Sequence, residues 1–459
     1  EITNIKDLRV ALEAGDVSEL DGFGPKTVEN ILKALESDAL EEERTRLDIA
    51  EQFVEPLMAY LEDLDFVDDV TVAGSYRRRK ETVGDLDTIA LSDQGKEVID
   101  AFVEFDPVKS IISKGGTKSS VKLRSGLQVD LRVVPSKSYG AALLYFTGSK
   151  AHNIHLRNIA VDRGYKINEY GVFKDDERVA GRTEKEIYEF FDMPFIEPEL
   201  RQDNGEIQAA QEHSLPELIR LDDIRGDLQM HSQESDGENT LEELAQAADD
   251  LGYEYIAITD HTSYIGVTQG LDADDVDAYV KNIDSFNQNH DGVHLLKGLE
   301  VDILKDGQLD MPDEVLKKLD IVLVSIHSHF DLSEKVQTDR ILKALENPYA
   351  NILAHPTTRR IGSRDPIKID LEKIMERAID LGCFLEINAS PERLDLWDQY
   401  IRLAGKLGLK LSIGTDAHRK SSLKNIKYGV YQARRGWAAK SQIINTLPLE
   451  DLQKALKRQ

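Results

Sequence analysis

The sequence predicts a multidomain α/β protein: a mixed α+β front half followed by a parallel (β/α)7 barrel. Three observations carry that prediction. At 459 residues the chain exceeds one typical hydrophobic core and should divide into several domains. The stretch VAGSYRRRKETVGDLDTIAL, Val72 to Leu91, reads as strand, glycine turn, short basic helix and a second strand. From Arg225 onward short apolar strands recur (GDLQMH, YIAITDH, LLKGLEVDI, IVLVSIHSHF, NILAHP, FLEINA, LSIGTDAH), and each ends in a potential ligand before a helix begins. Strands that alternate with helices imply a parallel sheet, and this many units imply closure.

Composition narrows the class. No apolar run is long enough to span a bilayer and no signal peptide is visible, so a cytoplasmic protein without membrane contact is expected. The single cysteine, Cys383, lies in an apolar run and reads as a buried strand residue, which fits a reducing compartment. A formal charge of −28 opposes nucleic acid as a partner until its distribution is read. Basic residues cluster at Arg77 to Lys80, at Lys114, Lys118, Lys122 and Arg124, and at Lys137, Lys150 and Arg157. The acidic runs, Glu41 to Glu43, Asp249-Asp250 and Asp272 to Asp277, read as solvated faces elsewhere.

Taken in order, residues 1–46 are expected to hold a helix-hairpin-helix region that contacts DNA. Leu20-Asp21-Gly22-Phe23-Gly24-Pro25-Lys26 joins two helical stretches by a glycine turn, with Pro25 suited to the first turn of the next helix; it resembles a helix-hairpin-helix. Its N–H groups at a helix start can hold one phosphate without reading sequence, which gives Gly22, Gly24 and Lys26 a DNA-binding role. Leu47, Ala50, Val54, Leu57, Met58 and Leu61 recur at helical spacing and predict a helix packed on the following sheet.

In the next segment, 47–137, Asp85 and Asp87 share one face of a strand. Two carboxylates this close repel unless cations sit between them, and Mg²⁺ prefers carboxylate and phosphate oxygens. Gly74-Ser75 can cradle a phosphate at a helix start, with Arg77, Arg78 and Arg79 to neutralise it. In Leu127 to Val134 the apolar Val129, Leu131 and Val133 alternate with Asp130 and Arg132, which adds a third acid on a second strand. Lys114 to Lys118 is a basic loop that either touches a template or simply turns a hairpin.

GSYRRRKETVGDLD, VDLRVVP and YFTGSKAHNIHLR together resemble a family X DNA polymerase, in spacing and order. The resemblance implies a nucleotidyltransferase palm at 47–137 and a thumb at 138–200. It implies that Asp85, Asp87 and Asp130 hold two Mg²⁺ or Mn²⁺ ions, with Asp130 activating the primer 3′-hydroxyl. It places Gly74, Ser75, Arg78 and Gly84 at the incoming deoxynucleoside triphosphate, Tyr145, Phe146 and Gly148 at its sugar and base, and Asn153 at the base edge. Arg132 and Arg157 fall on the DNA side. Lys150 stands where the family pattern leads one to expect an acid. The chain opens at Glu1 without methionine, already inside the hairpin unit, so a truncated or processed chain is expected and lyase activity is not. His152 and His155 read as DNA-facing or surface residues before metal ligands, and the polar stretch 201–222 reads as a linker.

In a parallel barrel the active site is built at the C-terminal strand ends. His231, Asp236, His261, Glu300, His327, His355, Asp416 and His418 all fall there, and five histidines with three acids suit Zn²⁺ or Mn²⁺ in a multinuclear phosphoesterase site. The motif order over 223–459 resembles a polymerase and histidinol phosphatase (PHP) domain, which implies a distorted barrel holding up to three ions. Gln229 departs from the HxH opening of that pattern, and its amide oxygen is a weaker ligand than imidazole. Asp260, Asn388 and His329 are expected in supporting positions.

The expectation is a monomeric DNA polymerase acting on gapped or primer–template DNA in repair, with a metal-dependent 3′ to 5′ exonuclease or phosphoesterase in its barrel. The alternatives for the barrel are a small-molecule phosphatase and an inactive scaffold.

Overall fold

The computed structural model describes residues 44–264 and 270–457, together with Ala11, Leu12 and Val17. The proposed hairpin residues Gly22, Gly24 and Lys26 lie outside the described residues.

Helix α1 (Leu47–Glu62) forms on the expected spacing and buries Leu47, Ala50, Val54, Leu57 and Leu61. Burial of each large apolar side chain contributes about 1.5–3 kcal/mol relative to exposure. The helix covers a five-stranded mixed sheet containing β1 (Asp69–Val72), β2 (Asp85–Leu91), β3 (Val108–Lys114), β4 (Lys118–Leu123) and β5 (Gln128–Val134), in the order β1-β2-β5-β4-β3. Between β1 and β2 lies α2 (Gly74–Arg77), and α3 (Gly95–Val103) follows β2. The central pair β2–β5 is parallel and sets Asp87 directly opposite Asp130. Leu86, Thr88 and Ala90 point into the core from β2, as Val129, Leu131 and Val133 do from β5, so the acids are left on the other face. The basic loop Lys114 to Lys118 turns the β3–β4 hairpin.

Helices α4 (Tyr139–Thr147) and α5 (Lys150–Asp162) lead into a three-stranded antiparallel meander of β6 (Lys166–Asn168), β7 (Gly171–Lys174) and β8 (Glu177–Ala180), closed by α6 (Glu184–Phe190). The stretch expected as a linker is instead packed. Helix α7 (Glu206–Gln211) buries Glu206, Ile207 and Ala210, and Glu206 Oε1 lies 2.7 Å from His152 Nδ1. The polar composition misled because the buried polar group here is a paired one, not a solvated one.

The second half is a parallel sheet of seven strands in sequential order: β9 (Gly226–Met230), β10 (Tyr255–His261), β11 (His294–Asp302), β12 (Ile321–Ser325), β13 (Ile352–Leu353), β14 (Phe384–Asn388) and β15 (Leu411–Gly414). The sheet curls until its ends meet, with Met230 bridging Ala417 in parallel and His231 N–H donating to Ala417 O at 2.9 Å. Helices α8 (Leu241–Asp250), α9 (Val276–Asn289), α10 (Glu334–Leu345), α11 (Leu371–Leu381), α12 (Asp398–Leu407) and α13 (Ile426–Arg435) follow the strands in turn. Tyr255, Leu296, Ile321, Ile352 and Phe384, near the strand starts, pack with Leu452 and Leu456 of the C-terminal helix α14 (Leu449–Leu456). That apolar seal leaves the polar groups at the strand ends. Cys383 lies buried just before β14, with Sγ 3.5 Å from Ala350 O. Among the described residues no helix is long and apolar enough to cross a membrane.

Two candidate metal centres

The first centre is a cleft of about 1560 Å³ whose walls include Gly74, Ser75, Arg78, Gly84, Asp85, Asp87, Tyr145, Phe146, Gly148, Asn153 and Arg157. Sequence reading grouped these eleven residues, and the fold brings them to one surface. Gly74 is required by geometry: φ is +61°, and a Cβ there would stand 2.8 Å from Asp87 Oδ2. Gly148, at φ +69°, would set a Cβ 3.2 Å from Arg78 Nη1. The turn therefore lies flush against the acids it serves. Burial, then the charges of Asp85 and Asp130, push the Asp87 carboxyl up to about 7. Such mutual repulsion fits divalent cations bridging the three acids. Gln128, which sequence reading passed over, donates from Nε2 to Asp130 Oδ2 at 3.0 Å. Its position two residues before Asp130 on the same strand face was the available signal.

The remaining polar residues separate. Asn153 is buried and donates from Nδ2 to Tyr145 O at 2.7 Å, so its amide props α4. Arg157 lines the cleft and donates to Asn153 O, while the Arg132 guanidinium lies 4.3 Å from the Phe146 ring centre. Lys122 and Lys150 line the cleft, whereas Lys114 pairs with Asp100 and Arg124 with Asp106. His152 is fully buried between Glu206 and Tyr188, with Nε2 2.9 Å from the Tyr188 hydroxyl. It is neither DNA-facing nor a surface residue, because its helix turns it inward. His155 is exposed and pairs with Asp203.

The second centre crowns the barrel. Ligand atoms of His231, Asp236, His261 and His418 lie within 4.8 Å of one another, as do those of His261, Glu300 and His327, and those of His231, Glu300 and Asp416. His355 joins through Nε2, 2.9 Å from Glu300 Oε1. Buried His231 Nδ1, His261 Nδ1, His355 Nδ1 and Glu300 Oε2 have no hydrogen-bond partner, which suits a donor set for cations. Burial alone would raise Glu300, yet His261 and His327 hold it well below the usual carboxylate range. Burial likewise opposes the charge on Asp416, but His231 and Arg393 keep it low. Against burial, Glu300 and Asp302 hold His327 up at about 10, and Asp236 and Asp416 hold His418 at about 9.

Gln229 is fully buried, with Oε1 3.4 Å from Asn388 Nδ2. Asn388 also donates toward Glu386 and Asp416, each at 3.2 Å, and Asp260 accepts from the Ser232 amide and hydroxyl at 2.8 and 2.7 Å. Both therefore support the crown, whereas His329 is exposed on the loop after β12. Sequence reading missed Glu386, Asp302 and Arg393. Glu386 accepts from His355 N–H at 2.7 Å, and burial and then Asp416 push it well above its ordinary range. Asp302 lies 3.3 Å from His327 Nδ1, and Arg393 Nε lies 3.2 Å from Asp416. Glu386 and Asp302 each stand two residues from another strand-end polar residue, a same-face spacing that could have exposed them.

The chain is similar to known proteins. The family model described as DNA polymerase beta thumb matches residues 142–202, and the PHP domain model matches 227–390. PolX of Bacillus subtilis (strain 168), named a DNA polymerase/3′-5′ exonuclease, is 40% identical over 461 residues, covering 100% of this chain and 80% of that protein. A protein of Thermoanaerobacter sp. (strain X514) named "Probable phosphatase" is 31% identical over 219 residues, 45% of this chain and 84% of its own. Polymerase beta of Leishmania infantum, solved as a ternary gap complex, aligns over 44% of this chain and 81% of its own at 23% identity and a TM-score of 0.32.

Proposed function

Because this chain belongs to the family X DNA polymerases that carry a C-terminal PHP domain, we propose that it fills short DNA gaps during repair in the cytoplasm and trims 3′ ends in the same molecule. The observation that carries the polymerase reading is the pairing of Asp87 with Asp130 on adjacent parallel strands, with Asp85 on the same face of β2. Asp85, Asp87 and Asp130 would hold two Mg²⁺ or Mn²⁺ ions, which when bound supply charge neutralisation at the phosphates. The Gly74–Ser75 turn and Arg78 bind the triphosphate. Asp130, oriented by Gln128, takes the proton of the primer 3′-hydroxyl. Tyr145 and Phe146 form the wall against sugar and base, and Arg157 holds the template side.

For the barrel, the residues that fit Mn²⁺ or Zn²⁺ are His231, Asp236, His261, Glu300, His327, His355, Asp416 and His418, with Gln229 as the neutral member. Glu300 is central: His355 and His327 lie 2.9 and 3.3 Å from its Oε1, and His231 and His261 each lie 3.5 Å from its Oε2. The set suits phosphodiester hydrolysis at a 3′ end. A small-molecule phosphatase is the second reading, favoured by the barrel-length relatives that carry that name.

The test is a gapped duplex with Mg²⁺ or Mn²⁺ and each centre disabled in turn. Asp130→Ala should abolish extension and leave 3′ degradation, and His231→Ala should do the reverse. Extension by Asp130→Ala at the wild-type rate would sink the polymerase assignment. A barrel that hydrolyses small phosphomonoesters and spares 3′ ends would decide for the phosphatase.

A further inference from the structure

The barrel domain reaches into the first centre. Trp397, Asp398 and Arg435, all from the second half, line the same cleft as Asp85, Asp87 and Arg78. One face of α13 makes the contact. Lys427 Nζ and the Tyr428 hydroxyl each donate to Glu51 Oε2 at 2.6 Å, and Tyr431 carries the Arg79 guanidinium 4.4 Å from its ring centre. Gln432 Nε2 donates to Glu81 Oε1 at 2.7 Å, and Arg435 Nη1 donates to the backbone oxygen of Arg78 at 3.1 Å. Tyr428 and Leu394 are buried within the hydrophobic core of the first domain. The turn that bears the proposed triphosphate contacts is thus clamped by a helix from the other domain.

Interdomain adhesion alone would explain the contacts that pair unlike charges across the boundary: Arg359 with Glu81, Arg46 with Glu392, Lys427 with Glu51. Arg435 breaks that pattern. It is 7% exposed, yet it is bonded to the main chain of another arginine, and its carboxylate partner Asp398 itself faces the cleft. Arg44 and Lys80 line the cleft as well. The buried Nε–H groups of both Arg78 and Arg435 have no protein acceptor. Burial, then the nearby Arg435 charge, lower Arg78 to about 10, as expected for cations crowded without an anion between them. A polyanion is the chemical class that relieves such crowding.

We propose that Arg435 of the barrel domain completes the polyphosphate site of the polymerase, holding Arg78 through its carbonyl and adding a cation to the cleft. The two domains then share one nucleotide site. This rests on the polymerase reading above.

The measurement is steady-state extension of a gapped primer by the full chain, with inorganic tripolyphosphate as a competing probe. Arg435→Gln should raise KM for the nucleotide and the inhibition constant of tripolyphosphate by about 10-fold, the low end for losing a charged hydrogen bond. kcat should hold. Arg435→Lys should recover part of the loss, since it restores charge without the planar fork. Asp398→Asn removes the neutralising acid and should tighten tripolyphosphate binding, which keeps the inference testable if Arg435→Gln fails to fold. A folded Arg435→Gln protein with wild-type KM and inhibition constant overturns the proposal, as does unchanged or weaker tripolyphosphate binding by Asp398→Asn. Wild type that does not extend at all would instead sink the polymerase reading.

Discussion

The two centres solve the problem of gathered carboxylates in opposite ways. In the cleft, acids stand on adjacent strands of an open sheet, and their mutual repulsion with burial lifts Asp87 to about 7. In the crown, the buried acids Glu300 and Asp416 are surrounded by imidazoles or a guanidinium and are held well below the usual range. The cleft therefore suits cations that arrive from outside, whereas the crown carries much of its own counter-charge as protons on its imidazoles, which an arriving cation must displace.

The largest expected effect tests that contrast by removing one charge from each centre. Asp87→Asn should cut extension by about 10³-fold, on the scale of losing a group that stabilises developing charge. It should nevertheless raise the unfolding midpoint of metal-free protein at pH 8. The sign follows from linkage: a carboxyl raised in the folded state costs stability above its unfolded value near 4, so removing it helps at pH 8 and not at pH 4. Glu300→Gln should do the opposite. Its depressed carboxyl contributes stability above the unfolded value, and breaking a buried pair by deleting one partner costs about 3–5 kcal/mol. Thermal scans of both variants in chelator, at pH 8, check the pair. Equal shifts of the same sign would erase the distinction between the centres.

A smaller effect concerns protons. Metal binding to the cleft displaces the proton that Asp87 holds near pH 7, so Mg²⁺ affinity should rise up to about pH 7 and then level. In the crown, His418 at about 9 and His327 at about 10 keep protons across neutral pH. Mn²⁺ affinity there should keep rising with pH beyond 8, and binding at pH 7 should release more protons than in the cleft. Calorimetry in buffers of different ionisation enthalpy counts them. Equal proton release from the two centres would contradict the comparison.

What sequence could reveal follows the same division. The cleft acids were legible because strand alternation alone puts Asp85 with Asp87, and Asp130 opposite Val129 and Leu131. The eight candidate ligands were legible because all but Asp236 close or directly follow an apolar run. The buried supports were harder to see, since Glu386, Asp302 and Arg393 act through neighbours more than thirty or twenty residues away, and the same-face spacing that marks Glu386 and Asp302 does not reveal those partners. His152 misled for a related reason: a histidine beside DNA-facing candidates looks exposed until Glu206, in a stretch read as linker, is seen to bury it. The contact of α13 with the segment after Gly74 was invisible as well, because Glu81 and Gln432 are separated by the whole intervening chain.

The smallest expected effect is at Gln229, where the crown is least provided for. Its Nε2 is buried without a partner, while Oε1 faces Asn388 at 3.4 Å, a weak tether. Burial, then Asp416, push neighbouring Glu386 well above its ordinary range, which disfavours negative charge beside the amide. Asn388 already serves Glu386 and Asp416, so the Gln229 contact is the easiest of its three to give up. Gln229→His would exchange a neutral oxygen for an imidazole nitrogen, which divalent transition metals prefer. Space is restricted, since Gly414 packs so closely that a Cβ on it would lie 2.6 Å from Gln229 Cβ. The gain should accordingly be modest: slower loss of Mn²⁺ or Zn²⁺ to chelator, with primer extension unchanged because the cleft draws its cations separately. Metal content after timed dialysis against chelator is the readout. Faster metal loss from the histidine variant would mean that the amide, held by Asn388, is the better-placed donor and that the crown is tuned around glutamine.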